Sequence, residues 1–475
     1  MSAQPHLSVG FDLDMTLIDT VPGFGAVLEA LGQELGVAFP VAEMTSKLGP
    51  PLDLLLGPHL AEEAIAPAVD RVRTLYPDHA ITTVPLLPGA EAALAAVRET
   101  GGRVVVVTGK YTPNARRHLD HLALHHDALA GEVWGVGKGD VLRREGCSVY
   151  VGDHVHDVEG ALAAGALSVS VLTGGCTREE LLAAGTHVVL DDLTDFPDWW
   201  AGHVLETRLA ALEEDLRRRG SVLVAYSGGA DSAFLLAAAV RALGAERVAA
   251  ATGYSHSLPQ SERDPAREFA ESLGVRVLTP ETNEMAREGY RANAGDRCFF
   301  CKAELLDVLA PLAAGLGLAH VATGTNADDT VAGFRPGIRA AAERGAITPL
   351  ADAGLTKAQV RAGSRAWDLP TWDKPQAACL SSRIAYGIEV SPHRLARVER
   401  AEGGVRRACA ELGLEVRDLR VRDLGERASL ELDASLLPLP EAVAARLLAE
   451  LHDAGFDRAD LDPRGFRSGS LNDLL

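Results

Sequence analysis

The chain has 475 residues, more than one hydrophobic core ordinarily fills, so two or three domains are expected. Hydrophobic residues make up 47% of it, as in a globular protein, and a formal net charge of −20 argues against a surface that coats nucleic acid. No charge-free apolar run approaches the roughly eighteen residues of a membrane span, and no basic, apolar leader is present. We therefore expect a cytoplasmic protein without membrane segments.

Buried parallel strands alternate with helices in the first part of the chain. HLSVGFDLD (6–14) is the first predicted strand, and the apolar run GRVVVVTGK (102–110) is the next strong one. Further strands are predicted at SVYVGD (148–153), ALSVSVLTG (166–174) and THVVLDDL (186–193). The pattern predicts an α/β fold with a doubly wound sheet, interrupted by a mostly helical cap over about residues 19–86.

A second α/β series follows the segment DLTDFPDWWAGH (192–203), which we interpret as a seam. Its predicted strands are SVLVAYSGG, ERVAAATGYS, VRVLTP and HVATGT. Beyond about residue 386 the sequence pattern changes. In LRVRDLGERASLELD apolar and polar residues alternate, as they do in a half-exposed strand pair. We predict three domains, at residues 1–200, 206–385 and 386–475, the last a small α+β domain for substrate binding or oligomerisation.

Two acidic residues follow the first strand in GFDLDMTLIDT. Asp12 and Asp14 stand at the carboxyl end of a predicted parallel strand, where open sheets bind ligands. One carboxylate can attack phosphorus, while the other protonates the leaving oxygen and later activates water. Acidic residues also cap helices after strands, so companion motifs must decide.

Three companion motifs occur in order, each at the end of a strand. Thr108 ends VVVVTGK and suits a phosphoryl oxygen, and Lys138 in VGKGDVL is a cation that can steady phosphate. VYVGDHVHDVEGA brings Asp153 and Asp157 to another strand end, where carboxylate oxygens suit Mg²⁺. The alternative is a scaffold that keeps the fold without the chemistry, and the complete set argues against it.

Over about residues 6–197 these motifs resemble the haloacid dehalogenase (HAD) superfamily, and SKLGPPLDLLLG (46–57) is similar to a cap segment of its phosphoglycolate phosphatase branch. The resemblance implies that Asp12 is the nucleophile, Asp14 the acid/base, and Thr108 and Lys138 ligands of phosphate. It also implies a Mg²⁺ site formed by Asp12, the main chain of Asp14, Asp153 and Asp157.

Four histidines stand at helical spacing in RRHLDHLALHHD. Neither a compact acidic partner nor an HExxH pattern accompanies them, so we predict an exposed helix and not a metal site. The four are His118, His121, His125 and His126.

A glycine-rich loop, SGGADS, joins a buried strand to a helix in VLVAYSGGADSAFLLAAAV. Its backbone N–H groups and the helix N-terminus can bind an anion, although no lysine follows as it does in a Walker loop. The loop resembles that of the PP-loop pyrophosphatases, which split ATP between the α and β phosphates and transfer AMP. The predicted ATP-binding residues are Ser227, Gly228, Gly229, Asp231 and Ser232.

A pair of thiols lies about seventy residues further on, in DRCFFCKAEL. Cys298 and Cys301 form one CxxC, which is half of a zinc site and equally an activated redox pair, and the residues alone leave both alternatives open.

Six segments from about residue 206 to 475 are together similar to the LarE family of ATP-dependent sulfur transferases, which act in nickel-pincer nucleotide biosynthesis. They are DRCFFCKAELL, ATGTNADD, FRPGIRAAAERGAITPLADAGLTKAQVR, WDKPQAACLSSRIAYG, LRVRDLGERASLEL and LDPRGFRSGSLNDLL. The resemblance implies adenylation of the carboxylates of a pyridine dicarboxylate mononucleotide and replacement of an oxygen by sulfur. Some members sacrifice one cysteine, whereas others hold a four-iron four-sulfur cluster on three. Cys298, Cys301 and Cys379 reproduce the three-cysteine pattern, so a cluster is the predicted sulfur carrier.

Charged residues of the same segments are predicted to bind the substrate's phosphate and carboxylates. Two departures concern this pocket: Ser429 stands where the family usually has an arginine, and AGFRPG lacks the usual Asp-Tyr before Arg335. The predicted substrate-binding residues are Lys302, Ser382, Arg383, Arg420, Arg422 and Glu431.

Small molecules are the expected partners of both halves, in a homo-oligomer. For the N-terminal half we consider pyrophosphate released by adenylation, or a phosphate ester such as phosphoglycolate or a nucleotide. The alternatives for the second half are a tRNA-thiolating enzyme and an adenylating enzyme with another small carboxylate. The acidic composition argues against binding of nucleic acid.

Overall fold

The computed structural model describes residues 7–46, 48–333, 335–375 and 379–467. The chain forms two compact units, of which one comprises His6–Glu206 and the other begins at Thr207.

The first unit is built on a parallel sheet of six strands, in the order β3-β2-β1-β4-β5-β6. The strands are β1 (Ser8–Phe11), β2 (Arg103–Val107), β3 (Ala128–Ala130), β4 (Val149–Gly152), β5 (Leu167–Val171) and β6 (Val188–Leu190). Its helices are α1 (Val21–Leu35), α2 (Val41–Thr45), α3 (Leu52–Leu56), α4 (Glu62–His79), α5 (Ala90–Glu99), α6 (Thr112–His121), α7 (Gly137–Glu145), α8 (Val155–Ala164) and α9 (Arg178–Ala183).

The central strands are buried on both faces because β1, β2 and β4 consist almost wholly of apolar residues. This confirms the predicted doubly wound α/β fold. The short strand β3, which the sequence analysis missed, extends the sheet beyond β2.

Helices α1 to α4 form a cap with an apolar core of its own. The chain leaves the sheet after Ile18 and returns at Leu86, where these two residues form an antiparallel bridge.

Helix α10 (Phe196–Arg219) contains the point at which the two units divide. The segment 192–203, interpreted from its sequence as a seam, is therefore helical from Phe196. Phe196 and Trp200 of this segment are buried and belong to the apolar core of the first unit.

The second unit begins with a parallel sheet of four strands in the order β10-β7-β8-β9. They are β7 (Val222–Ala225), β8 (Val248–Ala251), β9 (Arg276–Leu278) and β10 (His320–Thr323). Its helices are α11 (Ala230–Leu243), α12 (Gln260–Ser272), α13 (Glu288–Arg291), α14 (Arg297–Gly315), α15 (Ala327–Val331), α16 (Pro336–Glu343), α17 (Pro349–Asp352) and α18 (Lys357–Ala366).

The last part of this unit packs two helices on a three-stranded sheet. They are α19 (Pro392–Glu411) and α20 (Glu441–Asp453), with β11 (Leu419–Asp423) antiparallel to β12 (Arg427–Leu432) and β12 parallel to β13 (Arg458–Leu461). The predicted strand pair β11–β12 forms, but the expectation of a half-exposed face is wrong for β11, because all five of its residues are buried, including Arg420 and Arg422. Strand β13 was not predicted. Among the described residues, no helix is long and apolar enough to span a membrane.

Candidate active sites

Three carboxylates converge at the carboxyl edge of the six-stranded sheet. Asp12 follows β1, Asp153 follows β4, and Asp157 lies in the first turn of α8. One oxygen of each lies within 4.8 Å of the others, and no other group of three or more possible metal ligands lies this close among the described residues. The side chain of Asp14 is not a member of the group, in line with the prediction that only its main chain would face a metal.

The electrostatics of this group favour a cation. Burial and the neighbouring charges of Asp157 and Asp14 raise the pKa of Asp12 to about 7, although Lys138 opposes the shift. Burial and the charges of Asp157 and Asp12 likewise raise the pKa of Asp153 well above its ordinary value. Oδ1 of Asp12 is buried and accepts no hydrogen bond. These are the conditions that a divalent ion would relieve, so Mg²⁺ fits the site.

Lys138 lies buried at the start of α7 and faces the same carboxylates. Its Nζ is 2.5 Å from Oδ1 of Asp157, 3.3 Å from Oδ1 of Asp12 and 2.9 Å from the hydroxyl of Tyr150. The Tyr150 hydroxyl in turn donates to the carbonyl of Val107. The ammonium group is therefore held in place from several sides next to the predicted nucleophile.

Gly152 permits the close approach of Asp157 to β4. A Cβ added to this glycine would lie 2.4 to 2.5 Å from the Asp157 side chain. Asp157 in turn accepts the backbone N–H of His154 and caps α8. The glycine of VGD thus positions one of the carboxylates.

Lys110, which the sequence analysis did not single out, contacts Asp14. Its Nζ lies 2.6 Å from Oδ1 of Asp14 and 2.6 Å from the hydroxyl of Tyr76 in cap helix α4. Burial alone would raise the pKa of Asp14, but the charge of Lys110 and the hydrogen bonds from Lys110 and Thr20 leave it below its usual value. Lys110 stands two residues after Thr108 in VVVVTGK, and its backbone N–H donates to the buried Thr108 hydroxyl.

The prediction of an exposed histidine helix is wrong for His118. This side chain is fully buried, and its Nε2 lies 3.2 Å from the Tyr76 hydroxyl. The predicted helix holds for His118 and His121, but α6 ends at His121, so His125 and His126 lie beyond it. Helix α6 turns the His118 face inward. His121 is exposed, as predicted.

A cavity of about 450 Å³ opens onto Asp12 and Asp14 between the sheet and the cap. It is lined by polar residues such as Lys110, Asn114 and His154, and by apolar cap residues including Phe24 and Val72. Asp12 and Asp14 thus line a pocket that can enclose a small molecule.

In the second unit, the loop 227–229 connects β7 to α11. Gly228 has a φ of +74°, and a Cβ there would lie 2.8 Å from that of Ala266. The hydroxyl of Ser232 accepts the backbone N–H of Ser227 and donates to the carbonyl of Gly229. Asp231 lies in the first turn of α11, and burial raises its pKa.

Lys374 brings to this loop the cation that its sequence lacks. Its Nζ donates to the carbonyl of Gly228 at 3.0 Å and to Glu262 at 2.6 Å. The sequence analysis did not predict this contact, because Lys374 lies far from the loop along the chain, in the segment WDKPQAACLSSR.

One cavity of about 490 Å³ is lined by both the loop and the thiols. Its walls include Ser227, Asp231, Lys302, Cys301 and Cys379. The nucleotide loop and two of the thiols therefore line the same space. Part of the segment before Cys379, residues 376–378, lies outside the described residues.

The three predicted sulfur residues act on one another electrostatically. Burial, together with the charges of Cys379, Glu284 and Cys298, raises the pKa of the Cys301 thiol. Desolvation and the charge of Cys379 also raise the pKa of Cys298, although this residue is exposed overall and is not among those that line the cavity. Their sulfurs do not all lie within 4.8 Å of one another, which a single ion would require, but a four-iron cluster spreads its ligands more widely. The soft donor set suits iron, and a bound cation would offset the cost of burying thiolates.

Lys302 follows Cys301 on α14 and lines the same cavity. Burial lowers the pKa of its ammonium group, while the thiols of Cys301 and Cys298 oppose the shift. The cation is therefore in position to meet a negatively charged ligand beside the thiols.

The predicted anion-binding arginines are buried and engaged by carboxylates. Arg383 forms two hydrogen bonds with Glu402, at 2.9 and 3.2 Å, and Arg422 lies 2.8 Å from Glu431. Arg383 and Arg422 also donate to the carbonyls of Cys379 and Ser382, respectively. Two of the predicted ligands therefore position the cysteine segment.

Arg420 shares its strand face with Arg422 but pairs differently. It donates to the carbonyl of Leu419 and lies over the ring of Phe466. Burial and the charge of Arg383 lower its pKa to about 10. Ser429, the departure from the family pattern, lies opposite Arg422 in the β11–β12 register.

Comparisons with known proteins give separate relatives for the N-terminal part and for the rest of the chain. The haloacid dehalogenase-like hydrolase family matches residues 9–162, and a related HAD-type family matches 140–196. A phosphoglycolate phosphatase of Cereibacter sphaeroides is 30% identical over 40% of this chain and 95% of its own length.

Two further relatives concern the second unit. An uncharacterized protein of Synechocystis sp. is 39% identical over 57% of this chain and 99% of its own length. Pyridinium-3,5-bisthiocarboxylic acid mononucleotide synthase of Lactiplantibacillus plantarum is 32% identical over 57% of this chain and 96% of its own length. The chain is thus an enzyme that belongs to the HAD-family phosphatases in its N-terminal part and to the LarE family of sulfur transferases over the rest.

Proposed function

We propose that this chain is a bifunctional enzyme whose sulfur-transferase half inserts sulfur into a pyridine dicarboxylate mononucleotide, at the expense of ATP, in nickel-pincer nucleotide biosynthesis. The observation that carries the proposal is the single cavity lined by the nucleotide loop, Lys302 and the two cysteines Cys301 and Cys379. The name of the L. plantarum relative supports the substrate class.

In this mechanism the loop and Lys374 hold the phosphates of ATP. A substrate carboxylate attacks the α-phosphorus, the bond to the β-phosphate breaks, and pyrophosphate leaves. The carboxylate is then an acyl adenylate, whose AMP is a good leaving group. A four-iron four-sulfur cluster, held by Cys298, Cys301 and Cys379, would supply the sulfur that replaces the oxygen.

The remaining residues bind and orient the substrate. Lys302 and Arg420 are the cations we assign to the substrate's anionic groups. Arg383 and Arg422 position Cys379 and Ser382 through their backbone carbonyls, with Glu402 and Glu431 as partners.

The test is anaerobic purification followed by counting of iron and sulfide, and by assay of AMP formation with the pyridine dicarboxylate nucleotide. We expect bound iron and nucleotide-dependent AMP. Cys379→Ala should lose iron and sulfur transfer while keeping AMP formation, whereas Cys409→Ala, a buried cysteine of α19, should keep both. Iron-free protein that forms no AMP with this nucleotide would refute the proposal, and AMP formation on tRNA instead would favour the thiolation alternative.

For the N-terminal half we propose a Mg²⁺-dependent phosphatase. Asp12 attacks phosphorus, the ester oxygen leaves, and an aspartyl phosphate forms; water then attacks it and releases phosphate. Mg²⁺, held by Asp12, Asp153, Asp157 and the main chain of Asp14, would neutralise charge on the transferred group. Lys138 and Thr108 would hold the phosphoryl oxygens.

Asp14 is ionised in this structure, because Lys110 and Thr20 hold its pKa low. It is therefore set to accept a proton from water in the second step. In the first step a protonated Asp14 would give its proton to the leaving oxygen. We expect Asp12→Asn to lose phosphate release. Asp53→Asn, a substitution on the cavity rim, is the control and should stay active.

A further inference from the structure

We infer that the phosphatase site takes phosphate monoesters with a neutral, largely apolar leaving group, in preference to pyrophosphate or phosphoglycolate. The inference deepens the proposed phosphatase function and rests on it. Its basis is the wall that faces the reacting carboxylates and the charges that surround it.

The cap supplies an apolar wall to the cavity. Phe24 and Val72 are only 3% and 2% exposed and belong to the cap core, so this wall is fixed by packing. A leaving group that extends from the phosphorus therefore meets hydrocarbon. The apolar cap residues that line the cavity are Phe24, Leu48, Leu52, Leu55, Val69 and Val72.

The charges around the cavity disfavour a second anionic group. Its lining includes two basic side chains, Lys110 and Arg73, and six carboxylates: Asp12, Asp14, Asp53, Glu132, Asp153 and Asp157. Even with Lys138 and a bound divalent ion, five positive charges face six negative ones before the substrate enters. A dianionic phosphoryl group meets the metal and Lys138, but a further carboxylate or phosphate has no such partner.

Both cations of the lining are already matched. Lys110 lies 2.6 Å from Asp14, and Arg73 lies 3.3 Å from Asp70 and 3.7 Å from Glu132. Nδ1 of His154 accepts the backbone N–H of His156, so this nitrogen carries no proton and the ring adds no charge.

The charge of the Arg73 guanidinium is balanced by Asp70 and Glu132, so it offers no free cation to a second anionic group. An apolar alcohol therefore fits this cavity better than glycolate or phosphate does.

The test compares matched substrates on the full-length protein with Mg²⁺. n-Pentyl phosphate and 4-(phosphonooxy)butanoate have similar length and similar alkoxide leaving groups, but only the second ends in a carboxylate. We expect kcat/KM, measured by phosphate release, to be at least roughly tenfold higher for n-pentyl phosphate, mainly through KM. Pyrophosphate should be the poorest substrate of the three.

A matched pair of variants locates the effect. Leu52→Lys places a cation in the cavity wall and should reverse or abolish the preference. Leu54→Lys lies on the same helix, is 65% exposed and does not line the cavity, so the wild-type preference should persist.

Equal or faster turnover of the carboxylate substrate or of pyrophosphate by the wild type would overturn the inference, and this comparison requires no folded variant. Hydrolysis of none of the three, with Asp12→Asn indistinguishable from the wild type, would instead show that the proposed phosphatase function itself fails.

Discussion

Two buried side chains, His118 and Tyr76, join α6 to the cap in the first unit. Nδ1 of His118 has no hydrogen-bond partner, and burial together with the charge of Lys110 lowers the pKa of this histidine to about 3. The folded protein therefore keeps this ring neutral, whereas the unfolded chain protonates it below about pH 6.5. Stability that is fully present above that pH is lost as the pH falls towards 3.

We expect the free energy of unfolding to fall by about 2 kcal/mol between pH 7 and pH 5, because His118 takes up a proton in the unfolded chain only. His118→Phe should be less stable at pH 7, because the bond to Tyr76 is lost, but its stability should fall less steeply with pH. Urea unfolding at both pH values measures the difference, with His121→Phe on the exposed part of the same helix as the control. Parallel pH slopes for wild type and His118→Phe would contradict the assignment.

Lys374 permits a second prediction at this scale. Replacing it with Met removes the cation from the Gly228 carbonyl and leaves Glu262 unpaired, so we expect the KM for ATP in AMP formation to rise on the order of tenfold or more. Lys374→Arg should retain part of the affinity for ATP. Lys357 lines the same cavity, so Lys357→Met tests whether the loss of another lysine there has the same effect. An unchanged KM in Lys374→Met would remove Lys374 from the site.

Several site residues could be predicted one by one from the sequence, because their motifs place them at strand ends. Asp12, Asp153 and Asp157 do converge at one sheet edge. The contacts of Lys110 and Lys374 could not be predicted. They depend on how the cap packs near Asp14 and on how the segment that contains Lys374 packs against the nucleotide loop. The roles of all these residues stay predictions until the variants are assayed.

At the scale of elements, the nucleotide loop depends on one backbone conformation. In Gly228→Ala the alanine would have to adopt the left-handed backbone conformation, and its Cβ would lie 2.8 Å from the Cβ of Ala266 in α12. We expect loss of measurable ATP binding by calorimetry with the thermal unfolding of the unit lowered only modestly.

The control is Gly220→Ala, whose φ of +81° is similar but whose Cβ would meet nothing within 4 Å. It should show the cost of the backbone conformation alone, and keep ATP binding. If both variants bind ATP as the wild type does, the loop geometry is not what holds the nucleotide.

The long apolar strands were predictable because parallel strands buried on both faces read as continuous runs of Val and Ala. The short strands β3 and β13 were not, because ALA and RADL contain no β-branched or aromatic residue, whereas the equally short β6 and β9 contain valine. The first residues of α10 were not predicted to be helical; Pro197 lies in its first turn, where proline is well tolerated.

At the scale of the whole molecule, the position of α10 decides how the chain can be divided. Phe196, Trp200 and Val204 belong to the apolar core of the first unit. A fragment that ends at residue 195 lacks all three, so we expect it to aggregate or to melt well below a fragment that ends at residue 219. Thermal unfolding and phosphate release compare the two, and equal stability would show that the helix is dispensable to this core.

The predicted boundaries at residues 200, 206 and 386 remain a proposal, as do the homo-oligomer and the pairing of the two activities. Composition and motif order were enough to predict two α/β units, because each has its own strand series and its own glycine or acidic signature. The helical pattern of VLETRLAALEEDLRRRG predicts the later part of α10, but not that the helix begins at Phe196 within the segment interpreted as a seam.

The joint has a practical consequence for anyone who handles the protein. Proteases cut backbone that can be drawn out into an extended form, and a hydrogen-bonded helix resists this. The basic residues Arg217, Arg218 and Arg219 in the last turn of α10 are therefore poor trypsin targets while the helix is intact. Brief digestion should leave the two catalytic halves on one polypeptide, so their co-purification after such treatment would reflect an uncut helix and carry no information about affinity between them.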